Sequence, residues 1–578
     1  MSRYKKYILP YLIYWILGPL GMIVEVLGEI FLPYMLSKII NNGVGEKNIP
    51  YIVGCGVIMC LFAVLMAAGG IAGAWFAAKA SMNFGADLRM DLFKKIQKFS
   101  FRNIDSFSTG SLVTRLTNDI TQIQNMIVMI LRMCLRAPGM LIGATIMAFT
   151  MNARLALVIV AVIPILTALI ALIMKIAFPR FSIMQKKLDQ LNSCIQESLV
   201  NIRVIKSFVR DDFEEEKFQK MNHDLRDTTL RAMKVVIFNM PVMMLIMNAT
   251  TIAVVWFGGN MIIGNTGMEL GDLTAFTNYV TQILMSLMMM SMIFLNSSRV
   301  LASVKRVNEV LDTEIDLTDD DAKCPDAQVT EGKVEFKDVS FRYYKNRDEW
   351  VLRHINFSIE PGKILGIIGS TGCGKTSLVS MIPRLYDVEE GEVLVDGINV
   401  KDYSLYHLRE GVGMVLQKNV LFSGDIIENL RWGNPDASEE EVQEFAKSAQ
   451  AHEFVMSFPD QYATQLGQGG SNVSGGQKQR LCIARALLKK PKILILDDST
   501  SAVDTATEAK IRQAFHTSLK DTTKIIIAQR ITSVMEADEI LVMDEGVITG
   551  MGTHEELMQT CETYREIYES QTNKEVTA

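Results

Sequence analysis

Six apolar segments dominate the first half of the chain, and each is long enough to cross a lipid bilayer as a helix. A membrane-spanning helix needs roughly 20 mostly apolar residues. The segments cover approximately residues 9–40, 51–80, 130–152, 155–178, 235–264 and 270–297. This pattern predicts an α-helical membrane domain with six spans.

The polar gaps between these segments alternate between short and long. Residues 81–129 and 179–234 form the two long gaps, which are charged and contain no proline after Pro179. We expect both to be helical extensions of the spans beyond the bilayer. Lysine and arginine are concentrated in these gaps and before the first segment. The positive-inside tendency therefore places both long gaps and both chain termini in the cytoplasm.

The second half of the chain has a different pattern, in which short apolar strands alternate with helical stretches. Acidic residues mark an exposed linker between the halves. Alternating strands and helices are typical of an α/β fold. We therefore predict a membrane domain over residues 1–315, a linker over 316–330 and a soluble α/β domain over 331–578.

Net charge also separates the two halves. Residues 1–324 carry six more basic than acidic residues, whereas residues 325–578 carry twelve more acidic than basic ones. A mildly basic, apolar half joined to an acidic half is typical of a membrane domain followed by a soluble domain. The acidic half has no basic stripe, which argues against nucleic-acid binding.

A phosphate-binding loop lies in the soluble half, at residues 369–376. It follows an apolar strand and precedes a helix expected to start near Lys375, which is the context that this motif requires. Its backbone amides can surround phosphates, Lys375 adds a positive charge, and Thr376 can bind Mg²⁺. The candidate nucleotide-binding residues of this segment are Gly369, Ser370, Thr371, Gly372, Cys373, Gly374, Lys375, Thr376 and Ser377.

Two further motifs accompany this loop. A second apolar strand, residues 493–496, ends in Asp497, a pattern typical of the Walker B acid that holds Mg²⁺. About a hundred residues after the loop stands the string Ser474, Gly475, Gly476 and Gln477. In this combination the chain resembles the ATP-binding-cassette (ABC) exporters, whose membrane domain also has six spans with two long cytoplasmic extensions.

The resemblance implies ATP and Mg²⁺ as cofactors and assigns further residues. Tyr343 matches the aromatic that stacks on adenine, and Gln417 matches the glutamine that senses Mg²⁺ and couples to the membrane domain. Residues 501–504, ending in Asp504, match the D-loop. Residues 474–477 match the family signature, with Val473 in place of the usual leucine. Segments 107–110 and 208–213 match loops that touch the nucleotide domains.

Two catalytic positions depart from the family pattern. Hydrolytic members carry glutamate after the Walker B aspartate and histidine in a later switch, whereas this chain has Asp498 and Gln529. The aspartate carboxylate falls short by about one ångström, and a misplacement of that size can cost about 10²-fold in rate. Glutamine can hydrogen-bond a phosphate but cannot carry imidazolium charge. We expect a site that binds ATP well and hydrolyses it slowly.

In the family, two nucleotide domains sandwich two ATP molecules, and each site combines one chain's phosphate loop with the other's signature. We therefore expect a heterodimer with a second ABC half-transporter, which supplies the glutamate and histidine. This chain would contribute its intact signature to the partner's active site. The alternative is a homodimer with two slow sites.

The resemblance implies ATP-driven export of hydrophobic, amphipathic or cationic small molecules, of the multidrug type, across a bacterial inner membrane. A lipid, peptide or siderophore transporter is the first alternative. An ATP-gated channel or a regulatory subunit is the second.

Polar and flexible residues within the spans are candidates for substrate contact. Glu25 and Glu29 lie four residues apart, on one helix face. Either they bind a cation, or they face a water-filled cavity or pair with a neighbouring helix or subunit. Methionines cluster in the fifth and sixth spans, where they either line an adaptable substrate site or simply face lipid or core. They are Met240, Met243, Met244, Met247, Met285, Met288, Met289, Met290 and Met292.

Overall fold

The computed structural model describes residues 3–264, 267–344, 348–499 and 503–575. The chain separates into two compact units. One comprises Met1–Gln97 and Thr109–Asp312, and the other comprises Lys98–Ser108 and Thr313–Ala578. The short segment between the two parts of the first unit thus belongs to the second.

Long helices build the first unit. They are α1 (Lys5–Ile8), α2 (Leu12–Lys38) and α3 (Ile49–Gln97), then, after α4 (Phe101–Asp105) of the second unit, α5 (Thr109–Thr114), α6 (Ile120–Met151), α7 (Ala153–Val200), α8 (Ile202–Ser207), α9 (Asp211–Ile263) and α10 (Leu270–Asp312). Single turns of other helix types continue α2 to Val44 and join α5 to α6.

Five of these helical stretches are long and apolar enough to cross a membrane. They are Lys5–Val44, Ile49–Gln97, Thr109–Met151, Ala153–Val200 and Asp211–Ile263. At 1.5 Å per residue, the 49 residues of α3 extend about 70 Å, which exceeds the roughly 30 Å hydrocarbon core. α3, α7 and α9 thus continue well beyond the predicted spans 51–80, 155–178 and 235–264. The sixth predicted span lies in the 43-residue helix α10 and stays a prediction, because the side chains at 291, 292 and 294–299 lie outside the described residues.

Arg136 on α6 contacts both acidic residues of α2. Its Nη1 lies 3.1 Å from Glu25 Oε1, and its Nη2 lies 2.7 Å from Glu29 Oε1. On α10, the Gln282 amide donates to the Glu29 carbonyl at 2.9 Å. Of the interpretations open for the two acids, pairing with a neighbouring helix is the one observed. A cation of the chain itself compensates one of the two negative charges.

The second unit is an α/β domain with two main sheets. Its strands are β1 (Val334–Phe341), β2 (Leu352–Ile359), β3 (Ile364–Gly369), β4 (Glu390–Val395), β5 (Ile398–Asn399), β6 (Val412–Val415), β7 (Gly424–Asp425), β8 (Gln465–Leu466), β9 (Ile493–Asp497), β10 (Thr523–Ile527), β11 (Glu539–Asp544) and β12 (Val547–Gly552). An antiparallel sheet has the order β2-β1-β4-β5, and a six-stranded sheet has the order β12-β11-β3-β10-β9-β6. β7 and β8 form a short ribbon.

Helices cover the sheets of this unit. They are α11 (Lys375–Ser380), α12 (Leu405–Gly411), α13 (Ile426–Arg431), α14 (Glu439–Ser448), α15 (His452–Met456), α16 (Gly475–Leu488), α17 (Thr505–Ser518), α18 (His554–Thr560) and α19 (Glu562–Glu575). α10 ends at Asp312 and β1 begins at Val334, so the predicted linker over 316–330 lies between them.

The central strands β3, β9 and β10 pair in parallel and are buried on both faces. Ile493, Leu494 and Ile495 are fully buried, as strands covered by helices on both faces should be. Burial of each such side chain contributes about 1.5–3 kcal/mol. In this register Ile527 stands opposite both Ile367 and Asp497. The carboxyl ends of the three strands therefore meet at one edge of the sheet, where ligands of α/β proteins bind.

Candidate functional site

A cavity of about 880 Å³ opens at this edge of the sheet. Most of the phosphate-loop residues predicted from the sequence line it, together with Tyr343, Gln417, Asp497, Asp498 and Gln529. Gln417, Asp497, Asp498 and Gln529 lie beside the phosphate loop because the strands that lead to them, β6, β9 and β10, are in the same sheet as β3. The volume falls in the range of small-molecule sites.

The loop from Gly369 to Gly374 has a backbone that requires glycine. Gly372 and Gly374 have φ of 88° and 99°, in the left-handed region. A Cβ atom at Gly369 would lie 2.0 Å from the Met543 carbonyl oxygen, so any side chain there would force the loop away from β11. The Lys375 ammonium donates to the carbonyls of Gly369 and Ser370, both at 2.8 Å. The cation is thereby held across the mouth of the loop.

Thr376 and Asp497, the predicted Mg²⁺ ligands, contact each other. The Thr376 hydroxyl donates to Asp497 Oδ2 at 2.9 Å. Asp497 is 1% exposed, and burial raises the pKa of its carboxyl. Among the described residues no cluster of three or more His, Cys, Asp or Glu could hold a metal. A few hard oxygen ligands fit Mg²⁺, which usually completes its shell with phosphate and water.

Asp498 is held by two amides. Gln529 Nε2 donates to Asp498 Oδ2 at 2.7 Å, and the Gln417 side chain also hydrogen-bonds this carboxylate. The backbone of Asp498 has φ of 48°, and its N–H donates to the Ile527 carbonyl at 3.0 Å. Burial raises the pKa of Asp498, although both amide hydrogen bonds oppose that rise. The three residues predicted to be catalytic are therefore one hydrogen-bonded group.

Tyr343 lines the same cavity, but from the antiparallel sheet side. Its hydroxyl lies 2.7 Å from Ser377 Oγ, and its ring meets those of Phe341 and Tyr386 edge to face, with centroids 5.0 and 5.2 Å apart. The ring is thus fixed by aromatic neighbours while one side borders the cavity, an arrangement compatible with stacking on a base.

The signature residues do not line this cavity. Ser474 caps α16: its Oγ accepts from the Gln477 N–H at 3.3 Å, and its own N–H donates to Gln477 Oε1 at 2.9 Å. Gly475 and Gly476 begin the helix, whose N-terminal N–H groups and dipole favour an anion. Asp504 caps α17 by accepting from the Thr507 N–H at 3.0 Å. Ser501 and Ala502 of the predicted D-loop lie outside the described residues.

Sequence reasoning missed two contributions to the cavity wall. Asp544, at the end of β11, accepts a 3.0 Å hydrogen bond from the Ser370 hydroxyl. The C-terminal helix α19 also borders the cavity, through Thr563, Glu566 and Ile567 among others. β11 lies beside β3 because of the order of strands in the sheet, and no local sequence motif predicts that order. A polar helix near the chain end likewise gives no signal of its position.

The segment between α3 and α5 packs on the second unit beside the aromatic residues near Tyr343. The Tyr386 hydroxyl donates to Asp105 Oδ2 at 2.7 Å, and Arg102 Nη2 lies 3.3 Å from Glu389 Oε1. The contact with this unit thus includes residues just before the predicted segment 107–110. In the other predicted segment, Phe208 and Val209 are 73% and 81% exposed.

Methionines from the fifth and sixth predicted spans meet around one small apolar cavity, of about 50 Å³. Six of the nine noted in the sequence line it: Met240, Met243, Met244, Met247, Met285 and Met288. Met292 has a side chain outside the described residues. The methionines of the fifth and sixth predicted spans thus meet where α9 packs against α10.

Comparison with known proteins agrees with this geometry. The family model for the ABC transporter transmembrane region matches residues 15–287, and that for the ABC transporter matches residues 352–501. The uncharacterized ABC transporter ATP-binding protein YfiB of Bacillus subtilis is 40% identical over 100% of this chain and 99% of its own length.

Relatives named for different cargoes match over a similar extent. YgaD of Bacillus subtilis, an ATP-binding/permease protein named for multidrug export, is 32% identical over 98% of both chains. An ATP-dependent lipid A-core flippase of Mannheimia succiniciproducens is 30% identical over 98% of this chain and 96% of its own. A bacterial Atm1-family ABC exporter with ATP bound superposes with a TM-score of 0.77 and 25% identity, covering 98% of both chains. The chain therefore belongs to the ABC exporters, membrane-spanning transporters whose nucleotide-binding domain is an ATPase coupled to transport.

Proposed function

We propose that this chain is one half of a heterodimeric exporter of hydrophobic or amphipathic compounds, and that its own ATP site hydrolyses slowly. The observation that carries the proposal is the Asp498–Gln529 hydrogen bond at the carboxyl edge of the sheet. Asp498 is shorter than the glutamate that activates water in a hydrolytic site. Gln529 is less basic than the histidine that stabilises the charge developing on the phosphate.

All the residue types that the family uses to bind the phosphates and the base of ATP are present in this site. The phosphate loop and Lys375 hold the phosphates, while Tyr343 stacks on the base. Thr376, Asp497 and Gln417 would hold Mg²⁺, which would neutralise charge on the phosphate oxygens. Tight ATP binding at this site keeps the two nucleotide domains partly engaged between cycles.

Hydrolysis is slow for two physical reasons. The Asp498 carboxylate is one methylene shorter than glutamate and is already engaged by two amides, so it is poorly placed to orient water. Gln529 is neutral, so it does not supply positive charge where negative charge develops on the transferred phosphate.

The second half of the proposal concerns the partner's site. Ser474, Gly475 and Gly476 form the N-terminus of α16 and do not line this chain's own cavity. We assign them to the γ-phosphate of ATP bound by the partner, a second ABC half-transporter that carries glutamate and histidine at its catalytic positions.

Exposed apolar residues support pairing with such a partner. Phe208 and its neighbour Val209 are exposed, and in the α/β domain the exposed Trp432 stacks on the exposed Phe422 with ring centroids 4.2 Å apart. Large apolar side chains exposed near one another mark interaction sites. In the proposed heterodimer each half-transporter covers such residues of the other.

The methionine cavity supports an adaptable substrate site. It is far smaller than a drug-sized pocket, so it must open to admit a ligand. Flexible, polarisable methionine side chains repack around apolar ligands of different shape. We place the transporter in a bacterial inner membrane with both termini and the nucleotide domain cytoplasmic, because the basic residues lie in the long extensions.

A transport assay with the purified pair tests the proposal. Inside-out vesicles containing this chain and its partner should accumulate a fluorescent amphipathic dye only with Mg²⁺-ATP. Replacing the partner's catalytic glutamate by glutamine should abolish accumulation. In this chain, Ser474→Ala should lower the ATPase rate of the pair, with thermal unfolding measured to exclude loss of the helix cap. Full dye accumulation with the partner's glutamate replaced would refute the proposal that the partner's site performs most of the ATP hydrolysis.

A lipid cargo is the second candidate, favoured by the match to the lipid A-core flippase. The same vesicles loaded with a fluorescent phospholipid distinguish the two. ATP-dependent lipid movement without dye accumulation identifies a flippase, and ATP binding with neither identifies a gated channel or regulatory subunit.

A further inference from the structure

One face of α19 forms a wall of the nucleotide cavity. Thr563, Glu566, Ile567, Ser570 and Gln571 all line it. Their separations of three and four residues place them on one side of a helix. The C-terminal helix is therefore part of the nucleotide site, although no nucleotide-binding motif lies in it.

The adjoining face of α19, which carries Tyr564 and Tyr568, is anchored in the domain core. Tyr564 is fully buried, and its hydroxyl lies 2.7 Å from His554 Nδ1 on α18. The Tyr568 ring packs on the same imidazole, with centroids 5.5 Å apart. Because one face is fixed in the core, the cavity-facing side chains have a defined position.

Gln571 uses both ends of its amide on the loop that follows β10. Its Oε1 accepts a hydrogen bond from the Ile531 N–H at 2.8 Å, and its Nε2 donates to the Gln529 carbonyl at 2.9 Å. The two bonds bracket Arg530 and fix the main chain on either side of it. The loop is thereby fastened to a helix that is 40 residues further along the chain.

The loop held in this way carries the Gln529 side chain, which donates to Asp498. We infer that Gln571 is a positioning residue of the ATPase: it fixes the switch backbone so that the residue at 529 reaches the carboxylate at 498. The chain of contacts runs from the core through Tyr564 and α19 to Gln571, then through the main chain to the catalytic pair.

Amide hydrogen exchange tests this role without reference to hydrolysis. In the full-length chain, Gln571→Leu removes both hydrogen bonds while keeping a side chain of similar size. The Ile531 amide should then exchange roughly tenfold faster or more, because it loses its acceptor and its loop opens locally. Gln571→Glu keeps an acceptor for Ile531 but loses the donor to Gln529, so its exchange should be intermediate.

Glu569→Gln is the matched control, since Glu569 is exposed on the same helix and does not line the cavity. It should leave exchange at Ile531 unchanged, and peptides from β9 should be unaffected in all three variants. Unchanged exchange at Ile531 in Gln571→Leu would overturn the inference. Faster exchange throughout the domain would also overturn it, because Gln571 would then be a general stabiliser.

A kinetic test rests on the proposed function, since it needs a site made active by Asp498→Glu with Gln529→His. In that background Gln571→Leu should lower kcat roughly tenfold and leave the KM for ATP within about twofold, since the phosphate loop is untouched. If this background is active and Gln571→Leu leaves its kcat unchanged, Gln571 is not a positioning residue. An inactive background would count against the proposed slow site, while the exchange experiment would still decide the role of Gln571.

Discussion

The Gln529 side chain donates a 2.7 Å hydrogen bond to the Asp498 carboxylate. Gln417 bonds the same group, so two neutral amides hold the carboxylate that follows the buried Asp497. Amides satisfy the acceptors of a carboxylate, but they bring no charge to the phosphate that would lie beside it. This relationship is the physical basis of the proposed slow site.

Replacing Tyr343 should weaken nucleotide binding through loss of stacking. A base stacked on an aromatic side chain contributes about 1–3 kcal/mol, so Tyr343→Ala should raise the Kd for ATP by roughly five- to a hundredfold. Tyr343→Phe keeps the ring and loses only the contact with Ser377, so it should bind nearly as tightly as wild type. Titration with a fluorescent ATP analogue measures both. Equal weakening by the two variants would mean that the hydroxyl, not the ring, binds the nucleotide.

Asp497 should destabilise the nucleotide-free chain at neutral pH. Burial raises its pKa, so the folded state holds this proton more tightly than the unfolded state. The protonated Asp497 carboxyl therefore contributes most to the stability of the folded state at low pH, and this contribution falls as the pH rises through the raised pKa. Asp497→Asn should raise the thermal unfolding temperature at pH 7.5, and the gain should shrink towards pH 5.

Mg²⁺ binding provides the control for this variant. Asp497→Asn should lose most of the Mg²⁺ dependence of ATP binding, because the buried oxygen ligand is neutralised. A variant that unfolds at lower temperature than wild type at both pH values would contradict the assignment of a desolvated carboxylate.

Tyr386 should contribute to the coupling of ATP hydrolysis to transport. Burial and the hydrogen bond to Asp105 both raise the pKa of Tyr386, so the hydroxyl remains protonated and donates to the carboxylate throughout the physiological range. Tyr386→Phe keeps the ring packing but loses a hydrogen bond to a charged group, worth about 1.5–3 kcal/mol. We expect dye transport by the assembled pair to fall up to about tenfold, with ATP binding retained.

The ratio of transported dye to hydrolysed ATP is the measurement for that variant. Asp105→Asn keeps an acceptor and should have a milder effect than Tyr386→Phe. If both variants transport as well as wild type, this contact does not carry coupling.

Arg136 should be essential to the packing of α2 on α6. Its removal leaves two partly buried carboxylates without a countercharge, and breaking a buried pair in this way costs about 3–5 kcal/mol. Arg136→Ala should therefore reduce the yield of monodisperse transporter and lower its unfolding temperature. The triple variant with Glu25→Gln and Glu29→Gln should recover much of the loss. A triple variant no better than Arg136→Ala would show that the arginine acts by packing and not by charge.

The nucleotide site could be predicted in large part because its residues lie in local motifs on strongly apolar strands. The sequence predicts one apolar strand before the phosphate loop and a second that ends in Asp497, and β3 and β9 occupy those positions. Once the strands lie in parallel, their ends must meet. The position of Asp497 and Asp498 beside the phosphate loop follows from this pairing.

Other contacts depend on packing that no local pattern encodes. Arg136 lies in an apolar segment that also contains Arg132, so its pairing with Glu25 and Glu29 appears only when α6 lies against α2. Gln571 lies in a polar helix whose sequence resembles any exposed helix, and its role depends on where α19 docks. The contacts of Arg102 and Asp105 with the α/β domain lie a few residues before the first predicted contact segment, 107–110, which stays a prediction.

The ATPase rate of the purified pair in lipid nanodiscs, with the partner's catalytic glutamate replaced by glutamine, tests the central claim most directly, because only the site built on this chain's phosphate loop can then turn over. The slow-site account predicts turnover well below about 10 s⁻¹, the median for enzymes, and a rise of about tenfold or more when this chain carries Asp498→Glu with Gln529→His. Lys375→Ala in both backgrounds gives the zero level. Brisk turnover by the wild-type chain, unchanged by the double substitution, would contradict the account.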